Sequence, residues 1–148
     1  MRVFIDTNVF VEYVERRLQY TYVRHIFNAL EDGEIDGVLS QGSLYGITYA
    51  IEVGLKRMGI HNPEKREKVR YALNVVLGIS QIVGMSREAF ISAVNNHDFN
   101  DIEDCYQYTC AMENACDVLV TINIKDFKNA DTTRVRIMTP EEFVKEFL

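Results

Sequence analysis

One stretch, Phe99 to Phe127 (FNDIEDCYQYTCAMENACDVLVTINIKDF), limits the possible folds more than any other. It opens with a knot of carboxylates, Asp101, Glu103 and Asp104, with Asp98 just upstream, and it ends beside a further acid, Asp126. Ile102, Cys105, Tyr106, Thr109, Met112 and Cys116 recur at steps of three and four, which is one face of a helix. Asp101 and Asp104 share another face, with Tyr108 one turn on. Asp117-Val-Leu-Val-Thr-Ile122 is short, β-branched and bounded by polar residues, the pattern of a buried strand. A helix with acids in its first turn, feeding a buried strand that ends near another acid, brings carboxylates together at one edge of a sheet.

The rest of the chain supplies the partners for that strand. Arg2-Val-Phe-Ile-Asp6 is an apolar run ending in an acid and reads as a buried first strand. Thr7 and Asn8 follow as helix-capping residues, then Val9, Phe10, Tyr13 and Val14 at helical spacing. A second helix is expected over Tyr20–Leu30, a turn at Glu31–Glu34, a strand at Gly37–Ser40 and a helix from Ser43 to Met58, stopped by Gly59. Asn62-Pro63 restarts a helix whose apolar face is Val69, Ala72, Leu73, Val76 and Leu77, with Gly78 as its end. Ile79–Met85 is then a strand, and Ser86 caps a short helix running towards Val94. Val135–Met138 alternates like an edge strand. Thr139-Pro-Glu-Glu142 opens a terminal helix with a cap, a proline and first-turn acids. Alternating strands and helices imply an α/β sandwich on a mainly parallel sheet, built as one domain over residues 1–148. In such sheets ligands bind beyond the carboxyl ends of the strands, where strand order reverses. Asp6, Asp126 and the first turn of the intervening helix are all expected at that edge.

With 148 residues and 47% hydrophobic side chains, the chain can bury a core of its own. No window reaches the roughly 18 consecutive apolar residues of a membrane span. Asp6 interrupts the N-terminal apolar run that a secretion signal needs. The expectation is a cytosolic protein with no membrane role. Cys105, Cys110 and Cys116 are odd in number and lack paired zinc spacing, so they are expected as buried free thiols. A formal net charge of −6 argues against nucleic-acid binding by bulk charge. It leaves open an enzyme that reaches phosphates through a bound divalent cation.

Asp6, Asp104 and Asp126 lie far apart in sequence, yet each falls at a strand end or helix start. Each has an ordinary structural role open to it, since acids cap helices and favour their positive N-termini. Asp6 fits that role least well. A charge at the end of Val3-Phe4-Ile5 risks burial and wants a counter-charge. Gathered carboxylates repel one another, and a hard divalent cation removes that penalty. Mg²⁺ takes a few carboxylate oxygens, keeps several waters and leaves room for phosphate oxygens.

Ile5-Asp6-Thr7-Asn8-Val9, Asp101-Ile-Glu-Asp104 before a helix, and Val120-Thr-Ile-Asn-Ile-Lys-Asp-Phe127 after a strand resemble the PIN-domain nucleases. That family includes the VapC-type toxins of toxin–antitoxin pairs. The resemblance runs from Arg2 to Thr139-Pro-Glu-Glu-Phe143. It implies a three-layer α/β/α fold and Mg²⁺- or Mn²⁺-dependent hydrolysis of single-stranded RNA by an endoribonuclease, with an antitoxin protein as partner. It assigns catalytic and metal-binding roles to Asp6, Asp104 and Asp126. Asp101 is an additional ligand, and Asn8, Thr121 and Asn123 are polar companions. One departure stands out. The family carries a glutamate in the helix after the second strand, whereas Ser40-Gln-Gly-Ser-Leu-Tyr-Gly-Ile-Thr48 holds no acid. Glu52, more than a turn later, is the nearest substitute. The alternative reading is therefore a PIN-like module that binds RNA or protein with little or no turnover.

Lys125 and Lys128 flank Asp126 and are placed to meet RNA phosphates. The basic residues Lys56, Arg57, Lys65, Arg66, Lys68 and Arg70 read as a solvated helix face, with RNA contact as the lesser alternative. His25, His61 and His97 share no motif. The apolar and tyrosine content of the early helices leads to the expectation of a homodimer. A receiver-type α/β domain, whose acids also gather at strand ends, would need an aspartate at the end of a mid-chain strand, and Gly37–Ser40 has none.

Overall fold

The structure, a computed structural model, describes residues 1–148. Its strands are β1 (Arg2–Ile5), β2 (Asp36–Ser40), β3 (Ser80–Val83), β4 (Val118–Val120) and β5 (Arg136–Met138). They form one parallel sheet in the order β3-β2-β1-β4-β5. Its helices are α1 (Thr7–Val14), α2 (Tyr20–Glu31), α3 (Gln41–Arg57), α4 (Glu64–Ile79), α5 (Arg87–Val94), α6 (Ile102–Glu113) and α7 (Pro140–Phe147), with one 3-10 turn at Ile124–Phe127.

The period-two alternation of strand side chains divides the core into two layers. Val3, Ile5, Leu39, Val118 and Val120 face one side, where they pack with apolar residues of α1, α2, α3, α4 and α7. Phe4, Val38 and Leu119 face the other, under α5 and α6. This is the expected α/β/α sandwich, and its sheet is wholly parallel. Burying a side chain such as Phe4, which is 0% exposed, contributes about 1.5–3 kcal/mol. Gly37 is required by crowding, because a Cβ there would lie 2.6 Å from Leu30 Cδ2 and 2.8 Å from the Ile79 carbonyl oxygen. No helix is long and apolar enough to cross a membrane.

Several elements differ from the sequence reading. α4 runs through Gly78 to Ile79, and β3 begins only at Ser80, whose hydroxyl donates back to the Val76 carbonyl. β4 keeps only Val118–Val120 of the expected Asp117–Ile122. The face of α6 is also different. Cys105, Gln107, Tyr108, Thr109, Cys110 and Ala111 are buried, whereas Ile102 is exposed and Cys116 lies beyond the helix. α6 is covered on two sides, by the sheet and by α5, so a single-stripe pattern does not describe it. Tyr108 accordingly sits in the core against Phe99, its hydroxyl donating to the Asp131 carbonyl, and not on the acid face. Cys105, Cys110 and Cys116 are buried free thiols as expected. Burial pushes Cys110 up to about 12 and Cys116 up to about 11, which keeps both unreactive.

Candidate active site

In the strand order β3-β2-β1-β4-β5 the chain builds outward from β1 on one side, then crosses to the other to lay down β4 and β5. The β1/β4 junction is therefore the switch point, and its carboxyl edge is where a ligand crevice opens. Asp6 directly follows β1 and Thr121 directly follows β4. The Asp6 amide donates to the Val120 carbonyl at 3.0 Å, which carries the pairing one residue past the strand ends.

Asp6 stands at the N-cap position of α1, yet its side chain makes no capping hydrogen bond. Its Oδ2 accepts instead from Thr121 Oγ1 at 2.7 Å and from Asn8 Nδ2 at 2.7 Å. Asn8 Nδ2 also reaches Thr121 Oγ1 at 3.1 Å, and Asn8 Oδ1 accepts from the Ile122 amide at 3.0 Å. The Asn123 amide closes the set by donating to Thr121 Oγ1 at 3.1 Å. Asn8 and Thr121 thus hold the carboxylate, and Asn123 joins them through its backbone. Asp6 is 4% exposed, and burial, only partly offset by the Thr121 hydrogen bond, pushes it up to about 6.

A pocket of about 310 Å³ opens above this carboxylate. Asp6, Asp101, Glu103, Asp104 and Asp126 line it, together with Thr7, Asn8, Asn123 and Arg17, and Val11 is its one apolar residue. The structure thus brings Asp6, Asp104, Asp126 and Asp101 together, from β1, the first turn of α6 and the 3-10 turn. Asp104 is half-buried. Burial first, and then the charges of Asp6, Asp101, Asp126 and Glu103, push it up to about 7. No three acids, histidines or cysteines close into a ready-made metal-holding group. The carboxylates ring the pocket instead of meeting at a common point, as their mutual repulsion favours. The donors still suit a hard cation. They are all oxygens, with several carboxylates, and the only cation among them is Arg17, which is already hydrogen-bonded to Glu15.

Asp101 carries the structural role as well. Its Oδ1 caps α6, accepting from the Glu103 and Asp104 amides at 2.7 and 3.3 Å, which leaves at most Oδ2 for a ligand. Lys125 and Lys128 are exposed on the Asp126 turn, outside the pocket lining. Glu52 is exposed on α3 and does not reach the pocket. In the glutamate-free segment Ser40–Thr48, Ser43 is buried and hydrogen-bonded to Gln107. Sequence reasoning passed over Arg17 and left Glu103 without a role. The first gives no local signal, while the second was visible as part of the Asp101–Asp104 knot.

Comparison with known proteins identifies the family. A family model described as the PIN domain matches residues 2–125, a span that takes in Asp6, Asp101 and Asp104 and stops just before Asp126. Ribonuclease VapC1 of Aquifex aeolicus is 23% identical over 151 aligned positions, covering 99% of this chain and 95% of that protein. The crystal structure of VapBC2 from Rickettsia felis bound to a DNA fragment from their promoter superposes with a TM-score of 0.65. It is 16% identical, over 93% of this chain and 98% of that one. With the family model spanning most of its length and the acids of the switch point gathered as described, this chain belongs to the PIN domain family.

Proposed function

We propose that this chain is a divalent-metal-dependent endoribonuclease that hydrolyses phosphodiester bonds of single-stranded RNA, and that it is the toxin of a toxin–antitoxin pair. The observation that carries the reading is the gathering of Asp6, Asp104 and Asp126 on one pocket at the carboxyl edge of the β1/β4 junction. The ribonuclease name of the Aquifex aeolicus relative and the VapBC complex of the Rickettsia felis relative support activity and partner respectively.

Asp6, Asp104 and Asp126 would hold Mg²⁺ or Mn²⁺, with Asp101 contributing its uncapped oxygen. A bound cation of this kind neutralises phosphate charge and makes a water acidic enough to attack. The protein's own part is positional. Thr121 and Asn8 fix the Asp6 carboxylate in one orientation, so no side-chain freedom is lost when a ligand arrives. Asp104, pushed up to about 7 by burial and by the charges of Asp6, Asp101, Asp126 and Glu103 while no cation is present, is the acid whose charge a bound cation would relieve most. Arg17, the one cation lining the pocket, would meet a phosphate oxygen by exchanging its Glu15 partner, with Lys125 and Lys128 available to the outgoing strand. A cytoplasmic setting suits both the RNA substrate and the reduced thiols.

The test is cleavage of a labelled single-stranded RNA with Mg²⁺, with Mn²⁺ and with EDTA. Wild type is expected to cleave with either metal, Mn²⁺ being at least as effective because it holds carboxylates more strongly. Asp104→Asn, which removes a ligand charge but little volume, should abolish metal-dependent cleavage while folding normally. Cleavage that survives EDTA, or an equally active Asp104→Asn, would place the chemistry elsewhere. RNA binding without cleavage under any metal would favour the turnover-free module, which the neutral Ser43–Gln107 pair at the glutamate's place would then explain.

A further inference from the structure

Beside the acid pocket lies a second cavity, of about 350 Å³, that takes no part in the proposed metal site. The two share Glu103. The start of α3, the segment after β3, α5 and α6 enclose this cavity, and half of its lining is hydrophobic where its neighbour has Val11 alone. Tyr45, Phe90, Tyr106, Val83 and Met85 line it, with Ser40, Gln41 and Gln107 as its uncharged polar residues. No lysine, arginine or histidine does. It is therefore unsuited to a phosphate and suited to a flat uncharged ring.

Three features give it the form of a ring-binding slot. Tyr45 is 69% exposed and Phe90 44% exposed, so aromatic faces stand open to an incoming group. Phe90 is braced edge-on against Tyr106, with ring centroids 5.5 Å apart and planes at 75°, which fixes a rigid aromatic corner. Gly42 and Gly84 line the same cavity, and crowding requires neither. A Cβ on Gly84 would meet nothing within 4 Å, and one on Gly42 only the Ser40 hydroxyl oxygen at 3.7 Å. Their missing side chains keep the slot open. At its border with the acid pocket the exposed carboxylate of Glu103 is an acceptor for the amino or imino groups of a base. An oxygen-lined pocket and an aromatic slot side by side match the two halves of a nucleotide.

Resting on the nuclease reading, we propose that this cavity stacks one unpaired nucleobase of the RNA next to the scissile phosphate, with Tyr45 as its outer face. Base–aromatic stacking is tolerant of sequence and large enough to set register on the strand. Register is what an enzyme with a single arginine at its phosphate site otherwise lacks.

The test uses the full chain and short single-stranded RNAs in which one abasic nucleotide is walked along the strand. Binding is read by fluorescence anisotropy with and without Mg²⁺, and cleavage by kcat and KM. One abasic position should weaken binding by roughly 5- to 150-fold. Tyr45→Ala should weaken the intact RNA by a similar factor, remove the sensitivity to that position and act mainly on KM. Tyr45→Phe, which keeps the ring, should restore both. Tyr45 is exposed, so truncating it leaves the fold in place, and thermal unfolding checks this. Equal effects at every abasic position, or a Tyr45→Ala protein of unchanged RNA affinity, would overturn the slot while leaving wild-type cleavage and the nuclease reading intact. A Tyr45→Ala protein altered only in oligomeric state would overturn it too, by assigning the face to a second copy of the chain. Absence of both binding and cleavage in wild type would overturn both readings together.

Discussion

Replacing Asp6 by asparagine separates what the site does to the fold from what it does for catalysis. Asp6 is 4% exposed, and burial holds its carboxyl at about 6 against the ordinary 3.8. Because the folded value is the raised one, the stability it contributes is fully present below about pH 4 and is lost as the pH climbs through about 6. At about 1.36 kcal/mol per pH unit, ionised Asp6 costs the cation-free protein about 3 kcal/mol above pH 7. Asparagine has nearly the same shape. Its Oδ1 can go on accepting from Thr121 and Asn8, which now reach Asp6 Oδ2 at 2.7 Å each, with no charge to desolvate. At about 2–4 °C per kcal/mol for a chain of this size, Asp6→Asn should melt roughly 6–12 °C above wild type at pH 8 in EDTA, and close to it at pH 4. The assay is thermal unfolding in EDTA across that range. Added Mg²⁺ should then raise the melting temperature of wild type and leave Asp6→Asn nearly unmoved. An Asp6→Asn protein less stable than wild type at pH 8, or a difference flat with pH, would refute the reasoning. Either result would mean that the Thr121 and Asn8 hydrogen bonds outweigh desolvation and hold the carboxylate ionised.

Mg²⁺ affinity should rise with pH between about 5 and 8, because Asp6 at about 6 and Asp104 at about 7 must release protons on binding. Calorimetry in two buffers of different ionisation heat measures that release, and a pH-independent affinity with none would contradict it. Thr121→Val removes the hydroxyl that donates to Asp6 and accepts from the Asn123 amide. It should destabilise the protein by about 1–3 kcal/mol and lower cleavage, read from urea unfolding and the RNA assay. Tyr49 at 71%, Met58 at 74% and Tyr71 at 75% are exposed on or just after α3 and on α4, so a homodimer is expected. Light scattering that finds a monomer at tens of micromolar, roughly the range in which modest interfaces form, would count against it.

The sheet was legible because its strands are short, β-branched and bounded by turn or cap residues, and those features are local. Asp6 was legible for a related reason, since an acid ending so apolar a run has few ways to be satisfied. Asp101 was legible only in half. Its place before Ile102 fits a cap as well as a ligand, and only the geometry shows Oδ1 accepting from two backbone amides. The face of α6 was misread because a helix covered on two sides carries no single stripe. Arg17 could not be seen at all. It follows Arg16, whose positive φ of 49° turns the chain after α1, and nothing nearby in sequence tells that this turn folds back over acids more than eighty residues away. Gln107 and Ser43, 64 positions apart, are likewise joined only by the fold.

That last pair bears on the missing glutamate. Gln107 is 4% exposed and sits where the starts of α1 and α3 meet α6. Its Nε2 donates to Ser43 Oγ at 3.0 Å and to Thr7 Oγ1 at 3.3 Å, and its Oε1 accepts from Ser40 Oγ at 3.0 Å. Thr7 is the neighbour of Asp6, so this amide occupies ground directly behind the site. A carboxylate there would face the same burial that already lifts Asp6, and it would add one more charge to those that lift Asp104. A neutral amide ties the same three elements together without either penalty. In exchange, the negative charge available to a cation comes mostly from the open side of the pocket, where Asp101, Glu103 and Asp126 are exposed and Asp104 half-buried. Exposed carboxylates are better screened and less strongly repelled, so the cation-free fold is steadier. For the same reason they hold a cation less tightly than a buried set would. Weak, pH-dependent metal binding is therefore the expectation for a site whose acids lie on its open side, with the neutral Gln107–Ser43 junction behind them.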